Sequence, residues 1–378
     1  IRFGINMIHH EVLPGEVSGG MDINTVRNQT RKSLENAVYA SNDWKVSTRL
    51  NINYGLRLSL FSALGGGDFY ELDENRNVVG TRYYESDEIV KNYVNLEPRA
   101  SFSYIFNEAT SIKGGYARNT QNMHLIANST SSNPTDKWIS SSNNIKPQIA
   151  DQVSIGYVHN MRENTYEFSA ETYFKKMANQ IDYRDGANVL ANDSLETQLL
   201  SGDGRAYGLE LYLKKKKGKL TGWISYTLSR TERLVDGVNS GDWYPARQDR
   251  THDIALVGSY EISNKVSVSG AWVYYTGNAV TFPSGKYVVA NQTVYQYTER
   301  NGYRMPAYHR LDFSVTKRMK ERKHYSSELV LGIYNAYGRQ NAFSINIEQN
   351  ENNASKTDVV QTALFRWVPS IAWNFKIK

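Results

Sequence analysis

The stretch LNINYGLRLSL, residues 50–60, decides the fold. Leu50, Ile52, Tyr54, Leu56, Leu58 and Leu60 fall on one parity, and Asn51, Asn53, Gly55, Arg57 and Ser59 on the other. Successive side chains of a strand point to opposite faces, so the segment predicts a strand with one wholly apolar and one polar face. The alternation returns at the end of the chain. There Phe365, Trp367, Pro369, Ile371, Trp373, Phe375 and Ile377 interleave with Arg366, Val368, Ser370, Ala372, Asn374, Lys376 and Lys378. It is also present at the start, where Ile1, Phe3, Ile5 and Met7 alternate with Arg2, Gly4 and Asn6. Residue 1 does not open a signal peptide. The chain is expected to open inside a strand and to be a portion of a larger protein.

Working outward, strand-like segments fall near 1–9, 33–41, 50–63, 94–106, 111–120, 149–160, 165–176, 205–216, 219–231, 252–262, 265–277, 307–318, 326–337 and 364–378. Their connections alternate strictly. Short ones lie near 42–49, 107–110, 161–164, 218, 263–264 and 319–323, and long ones near 10–32, 64–93, 121–148, 177–204, 232–251, 278–306 and 338–363. Strands of about 9–11 residues, apolar outward and polar inward, with short periplasmic turns and long outer loops, define an all-β, transmembrane antiparallel β-barrel of the outer membrane. Composition agrees. Mean hydropathy is −0.57, and no stretch approaches the ~20 apolar residues of a membrane-spanning helix. Any span is therefore made of strands, because only helices and closed barrels pair every backbone group in lipid. The 27 Tyr suit interfacial girdles. A soluble all-β protein shares this composition, but it has no reason to gather its long loops at one end.

The residues offer little chemistry. The chain has no Cys, which removes disulfides and thiolate metal sites. His9 and His10 point to opposite faces of a strand, and no loop has the ligand spacing of a calcium loop, so no metal site and no cofactor are predicted. Nucleophile-elbow, zinc-protease and phosphate-loop motifs do not occur. Glu167 and Glu171 lie roughly 13 Å apart along a strand, too far for paired glycosidic carboxylates. Catalytic residues are therefore expected to be none, and the protein is not read as an enzyme. Net charge is +6, with the densest basic run at Lys214, Lys215, Lys216 and Lys217. No aromatic platform surrounds that run, so it reads as a solvated hairpin turn rather than a nucleic-acid patch. Inward charges recur at Glu97 and Arg99, at Glu167, Glu171 and Lys175, and at Arg310 and Asp312, which predicts ion-pair ladders on the polar face.

Several stretches together resemble the TonB-dependent outer-membrane receptors. YASNDWKVSTRLNINYGLRLS at 39–59 is similar to a hairpin of that family, with the turn Asp shifted within Ser41, Asn42, Asp43 and Trp44. NNIKPQIADQVSIGY at 143–157 resembles its N-x-x-L-K-P-E entry, with Gln148 replacing Glu. RAYGLE at 205–210, MPAYHRLDFSV at 305–315, LVLGIYNAYGRQN at 329–341 and WVPSIAWNFKIK at 367–378 resemble later family segments in the same order, although the last ends on Lys378 rather than an aromatic residue. The resemblance implies energy-coupled import of a scarce nutrient: an iron chelate, a vitamin, an oligosaccharide or a peptide. It implies a barrel of about 22 strands with a plugged lumen. Residues 1–378 would supply the last fourteen or so, with the other strands, the plug and the TonB box outside this chain. Implied partners are those missing parts of the same protein, the TonB complex, outer-membrane lipid and lipopolysaccharide, and a surface lipoprotein. The C-terminus would be periplasmic. A passive porin or a surface adhesin on a smaller barrel is the alternative.

In the family the ligand sits among loop bases and upper lumen walls. By position this points to His124, Trp138, Trp243, Tyr244, Arg247, His252, Tyr275, Asn278, Tyr303 and Arg304. Aromatic faces with convergent polar groups suit sugars, chelates and macrocycles alike. The segment SGDWYPARQDRTHD at 240–253 is the most ligand-like by chemistry, while interfacial girdle roles compete for many of the aromatics.

Overall fold

The computed structural model describes residues 1–13, 29–126, 136–187, 194–289, 292–319, 321, 324–350 and 356–377. The polar stretch 128–134, most of 350–354 and Lys378 lie outside these residues. Fourteen strands form one antiparallel sheet in simple sequence order, with a two-residue strand, Tyr244–Pro245, paired to Leu220–Leu234 off this path. They are β1 (Arg2–Val12), β2 (Arg31–Lys45), β3 (Leu50–Leu64), β4 (Ile89–Asn107), β5 (Thr110–Gln121), β6 (Gln148–Met161) and β7 (Tyr166–Tyr183). After these come β8 (Leu199–Lys215), β9 (Leu220–Leu234), β10 (His252–Ser263), β11 (Val266–Tyr275), β12 (Tyr308–Arg318), β13 (Tyr325–Tyr334) and β14 (Val368–Ile377). Among the described residues β1 and β14 do not pair with each other.

Register carries the parity of the 50–60 segment across the whole sheet. Leu58 lies between Val38 and Leu96, and Arg57 lies between Tyr39 and Glu97. At the far end Leu331 faces Ile371 and Leu329 faces Trp373. A one-residue slip anywhere would turn a whole strand over. The apolar face is uncovered: Leu58 is 44% exposed, Ile155 51% and Ile371 72%. An apolar surface this extended is stable only against lipid or another apolar layer.

The polar face is held by ion pairs between strands. Arg57 lies 3.5 Å from Glu35 and 3.9 Å from Glu97, and Ser59 and Thr120 donate to Glu97 at 2.8 and 2.7 Å. The expected Glu97–Arg99 grouping thus resolves across strands, because register sets Arg57 directly opposite Glu97. Lys113 pairs with Glu171 at 2.6 Å and Lys216 with Glu167 at 2.5 Å, while Arg310 and Asp312 pair within β12 at 3.0 Å. The basic run ends at a tight turn in which Gly218 takes φ 98°, a conformation that favours glycine, and Lys217 donates to the Glu163 carbonyl at 2.6 Å.

The long connections are more ordered than their polar composition predicts. Gly67–Leu72 pairs with Val78–Tyr84, Met123–Ile126 with Lys137–Ser140, Gly285–Val289 with Gln292–Gln296, and Ser344–Gln349 with Thr357–Thr362. Their alternations run for only a few residues among Gly, Asn and Asp, too short to register as strands. The last strand begins at Val368, so Phe365 and Trp367 precede it.

Leu58 faces outward midway along β3. Leu58→Arg is expected to destabilise the folded barrel by about 2–4 kcal/mol, the cost of an arginine at the bilayer midplane. Urea unfolding in lipid vesicles measures this, and an unchanged midpoint would contradict the assignment of that face to lipid.

Candidate ligand-binding site

At the long-loop end a single carboxylate ties three loops together. Asp182, at the end of β7, accepts from Arg300 at 2.6 Å, from Arg233 at 3.3 Å and from the Tyr244 hydroxyl at 2.9 Å. Arg300 also donates to the Tyr183 carbonyl at 3.0 Å, and its backbone N–H donates to Asn239 at 2.9 Å. Asp182, Tyr244 and Arg300 are all buried. Burial alone would lower the Arg300 guanidinium, but the charge of Asp182 outweighs it and holds the group above its ordinary value. Burial, reinforced by the Asp182 charge, pushes the Tyr244 hydroxyl far up, so it stays a donor.

This clamp forms one wall of a cavity of about 640 Å³ that opens on the polar face, where Lys175 and Met177 of β7, Gln148 of β6 and Asn119 of β5 also line it. Arg247 and Asn278 line this cavity and a second one of about 350 Å³, whose wall is aromatic: Phe282, Tyr295, Tyr297 and Phe343. A polar chamber with the cations Lys175, Arg233 and Arg247 therefore meets an aromatic chamber at Arg247 and Asn278. Among the described residues no cluster of His, Cys, Asp and Glu could hold a metal ion.

The ten sequence candidates divide. Arg247 and Asn278 sit where the chambers meet, with Arg247 paired to Asp136 at 2.8 Å and Asn278 accepting from Arg250 at 3.3 Å. Tyr303 and Arg304 pair with Val280 and Ala279, in the turn that carries the aromatic wall. Tyr303 stands 6.1 Å from Phe282, and Arg304 is bonded to the Asp249 carboxylate. Tyr275 stacks on Tyr308 at 4.6 Å beneath Arg250, and His252 bonds the Tyr226 hydroxyl at 2.9 Å; neither lines a cavity described above. Trp243 and Tyr244, adjacent in sequence, separate: Tyr244 enters the clamp, while Trp243 lies under Arg205 at 4.1 Å. Trp138 is exposed on its hairpin. His124 is buried beside it, with Nε2 bonded to Ser141 at 2.9 Å and Nδ1 without a partner, and burial pushes it down to about 4. Sequence reasoning missed Arg233, Arg300 and the aromatic wall. The Tyr295/Tyr297 alternation, between Asn278 and Tyr303 in the chain, carried a signal, but the Asp182–Arg300 pairing spans 118 residues and left none.

A single-layer antiparallel sheet with an uncovered apolar face, a charged inner face and all long loops at one end defines an outer-membrane β-barrel. The chain belongs to the TonB dependent receptor-like, beta-barrel family, whose model matches residues 12–336. No curated protein matches it by sequence. Among solved structures it is similar to the FrpB iron transporter of Neisseria meningitidis, at 12% identity and TM-score 0.59, over 99% of this chain and 52% of that one. It is similar to the ferric yersiniabactin uptake receptor FyuA of Yersinia pestis, at 14% and 0.56, over 92% and 46%. It is also similar to the siderophore receptor PiuA of Acinetobacter baumannii, at 16% and 0.56, over 92% and 44%. At these identities the likeness is one of fold, and the chain spans about half the length of each.

Two outcomes test the clamp and its hairpin. Arg300→Met leaves Asp182 buried against weaker partners, and the expected cost is about 3–5 kcal/mol in loop stability. Faster proteolysis within 278–306 reads it, and wild-type resistance would contradict the clamp. His124 ordinarily titrates near 6.5 and here near 4, so the opened hairpin binds the proton more readily than the closed one. Closure is therefore strongest above pH 6.5 and weakens as the pH falls towards 4, which amide exchange over 123–126 and 137–140 measures; flat protection would contradict it.

Proposed function

We propose that this chain is the C-terminal part of the barrel of a TonB-dependent outer-membrane receptor and that the whole protein imports an anionic iron chelate with aromatic or apolar groups. The observation that carries this reading is the pair of chambers meeting at Arg247 and Asn278, one polar, where Lys175, Arg233 and Arg247 outnumber Asp136 and Asp182, and the other aromatic. Such a site offers hydrogen bonds and positive charge to a chelate's oxygens and flat apolar surface to its rings. Among the described residues the outer edges of β1 and β14 are unpaired, which supports an arc completed by further strands of the same protein rather than a smaller closed pore. All short turns lie at one end and β14 runs towards it, which supports a periplasmic C-terminus. The iron and siderophore cargo named for the structural neighbours agrees with the chemistry of the chambers. Energy coupling would come through the TonB complex.

Growth of iron-starved cells on a panel of ferric chelates tests the reading. Deleting the gene or removing TonB function is expected to abolish use of at least one chelate, and undiminished growth on all of them would count against import. For that chelate, Arg247→Ala combined with Asn278→Ala is expected to weaken binding to the purified full-length receptor by about tenfold or more. Unchanged affinity would move the site elsewhere.

A further inference from the structure

The arginine at the junction of the two chambers is already engaged by a carboxylate of the same chain. Arg247 lines both cavities, and Asp136 lines the polar one. Arg247 donates through Nη1 to Asp136 at 2.8 Å, and among the described residues each is the other's only ion-pair partner. The two belong to different long connections, 111 residues apart. Asp182, the other carboxylate of the polar chamber, is held within the clamp by Arg300, Arg233 and Tyr244. Both backbones at the junction are pinned. Tyr244 and Pro245 pair with Arg233 and Glu232 of β9, the Ala246 N–H donates to the Thr231 carbonyl at 2.9 Å, and the Asp249 N–H to the Ala246 carbonyl at 2.9 Å. Asp136 directly precedes Lys137–Ser140, which pairs with Met123–Ile126. The fold thus presents the carboxylate to the guanidinium, and side-chain torsions suffice to part them.

The contact is a weak one. It uses a single N–H···O bond, and Nε and Nη2 of Arg247 make no hydrogen bond to the protein among the described residues. The side chains of Arg247 and Asp136 keep 27% and 33% of their surface open to solvent. An exposed pair with one contact contributes little. A ligand that grips the guanidinium with two oxygens forms the stronger, planar, two-bond pair.

We propose that Asp136 is an internal competitor for the anion that Arg247 binds: its carboxylate holds the guanidinium until a ligand offering two oxygens displaces it. The contact lowers the affinity of every anion that needs Arg247 by a common factor. An anion that makes one bond gains nothing by replacing Asp136, while a ligand with two oxygens keeps its second bond as surplus. Displaced, Asp136 turns to solvent, which its exposure allows. The inference rests on the reading of this junction as an anion site and adds to it an autoinhibitory contact.

The test uses the folded full-length receptor, with phthalate, an aromatic dianion, as the probe and its dissociation constant read by saturation-transfer NMR. Asp136→Asn is expected to tighten phthalate binding by about fivefold, the upper end of what an exposed ion pair holds back. In an Arg247→Met background the same change is expected to have no effect, since no guanidinium is left to release. That arm separates competition for Arg247 from plain repulsion between Asp136 and the probe, which persists without Arg247. Uncharged phthalamide binds wild type and Asp136→Asn equally. Without any probe, the arginine reagent phenylglyoxal is expected to modify Arg247 several-fold faster in Asp136→Asn, as mass spectrometry of the digested protein reads. Glu74→Gln removes an exposed carboxylate from another long connection and leaves both readouts at the wild-type level. Unchanged phthalate affinity in Asp136→Asn, with Arg247→Met weaker than wild type, would overturn the competitor and leave the anion site standing. An equal gain in both backgrounds would overturn it in favour of repulsion. Phthalate binding indifferent to Arg247→Met would overturn the anion site and the competitor with it. Heat-modifiable gel migration verifies folding, and Asp136→Ser is expected to repeat the Asn result.

Discussion

Everything here depends on the pairing of backbone groups between strands that alternate in polarity. In hydrocarbon each N–H and C=O must find its partner in the neighbouring strand. That pairing fixes register, and register fixes which side chains face lipid. Leu58 between Val38 and Leu96, with Arg57 between Tyr39 and Glu97, is the local form of the constraint. Because the sheet runs in plain sequence order, every further strand inherits the choice made by its neighbour. The uncovered apolar face and the ion-paired inner face are two results of the same bookkeeping.

Above the band the constraint relaxes, and side-chain chemistry takes over. A buried ion pair is weak evidence for stability on its own, since desolvation offsets much of the attraction. Its value here is geometric. Asp182, served by Arg300, Arg233 and Tyr244, fixes three loops against one another and so shapes the cavity wall. The inward chamber and the outward apolar band then lie on opposite faces of the same strands. Lys175 lines the chamber and Phe174, one residue earlier, belongs to the band.

Much of this was legible in the sequence. All fourteen strands and the alternation of short and long connections follow from period-two patterning, since the apolar runs reach membrane-spanning length. The loop hairpins did not, because pairings such as Met123–Ile126 with Lys137–Ser140 show too few alternations. Cavity-lining residues were legible only where position suffices: Arg247 and Asn278 were placed by their nearness to strand ends. Trp243 and Tyr244 show the limit, for the two neighbours point apart and only the fold reveals which one is buried. Asp136 and Arg247 look unrelated until the fold sets them side by side.

The absence of cysteine from these 378 residues leaves only cysteines elsewhere in the full-length protein to be replaced before one direct measurement. Single cysteines at 50–60, spin-labelled in the full-length protein in lipid bilayers, report collision with lipid-soluble oxygen or with a water-soluble nickel complex. The account predicts oxygen-accessible labels at 52, 54, 56, 58 and 60 and nickel-accessible or immobilised labels at 53, 55, 57 and 59. A uniform profile, or the opposite phase, would contradict it.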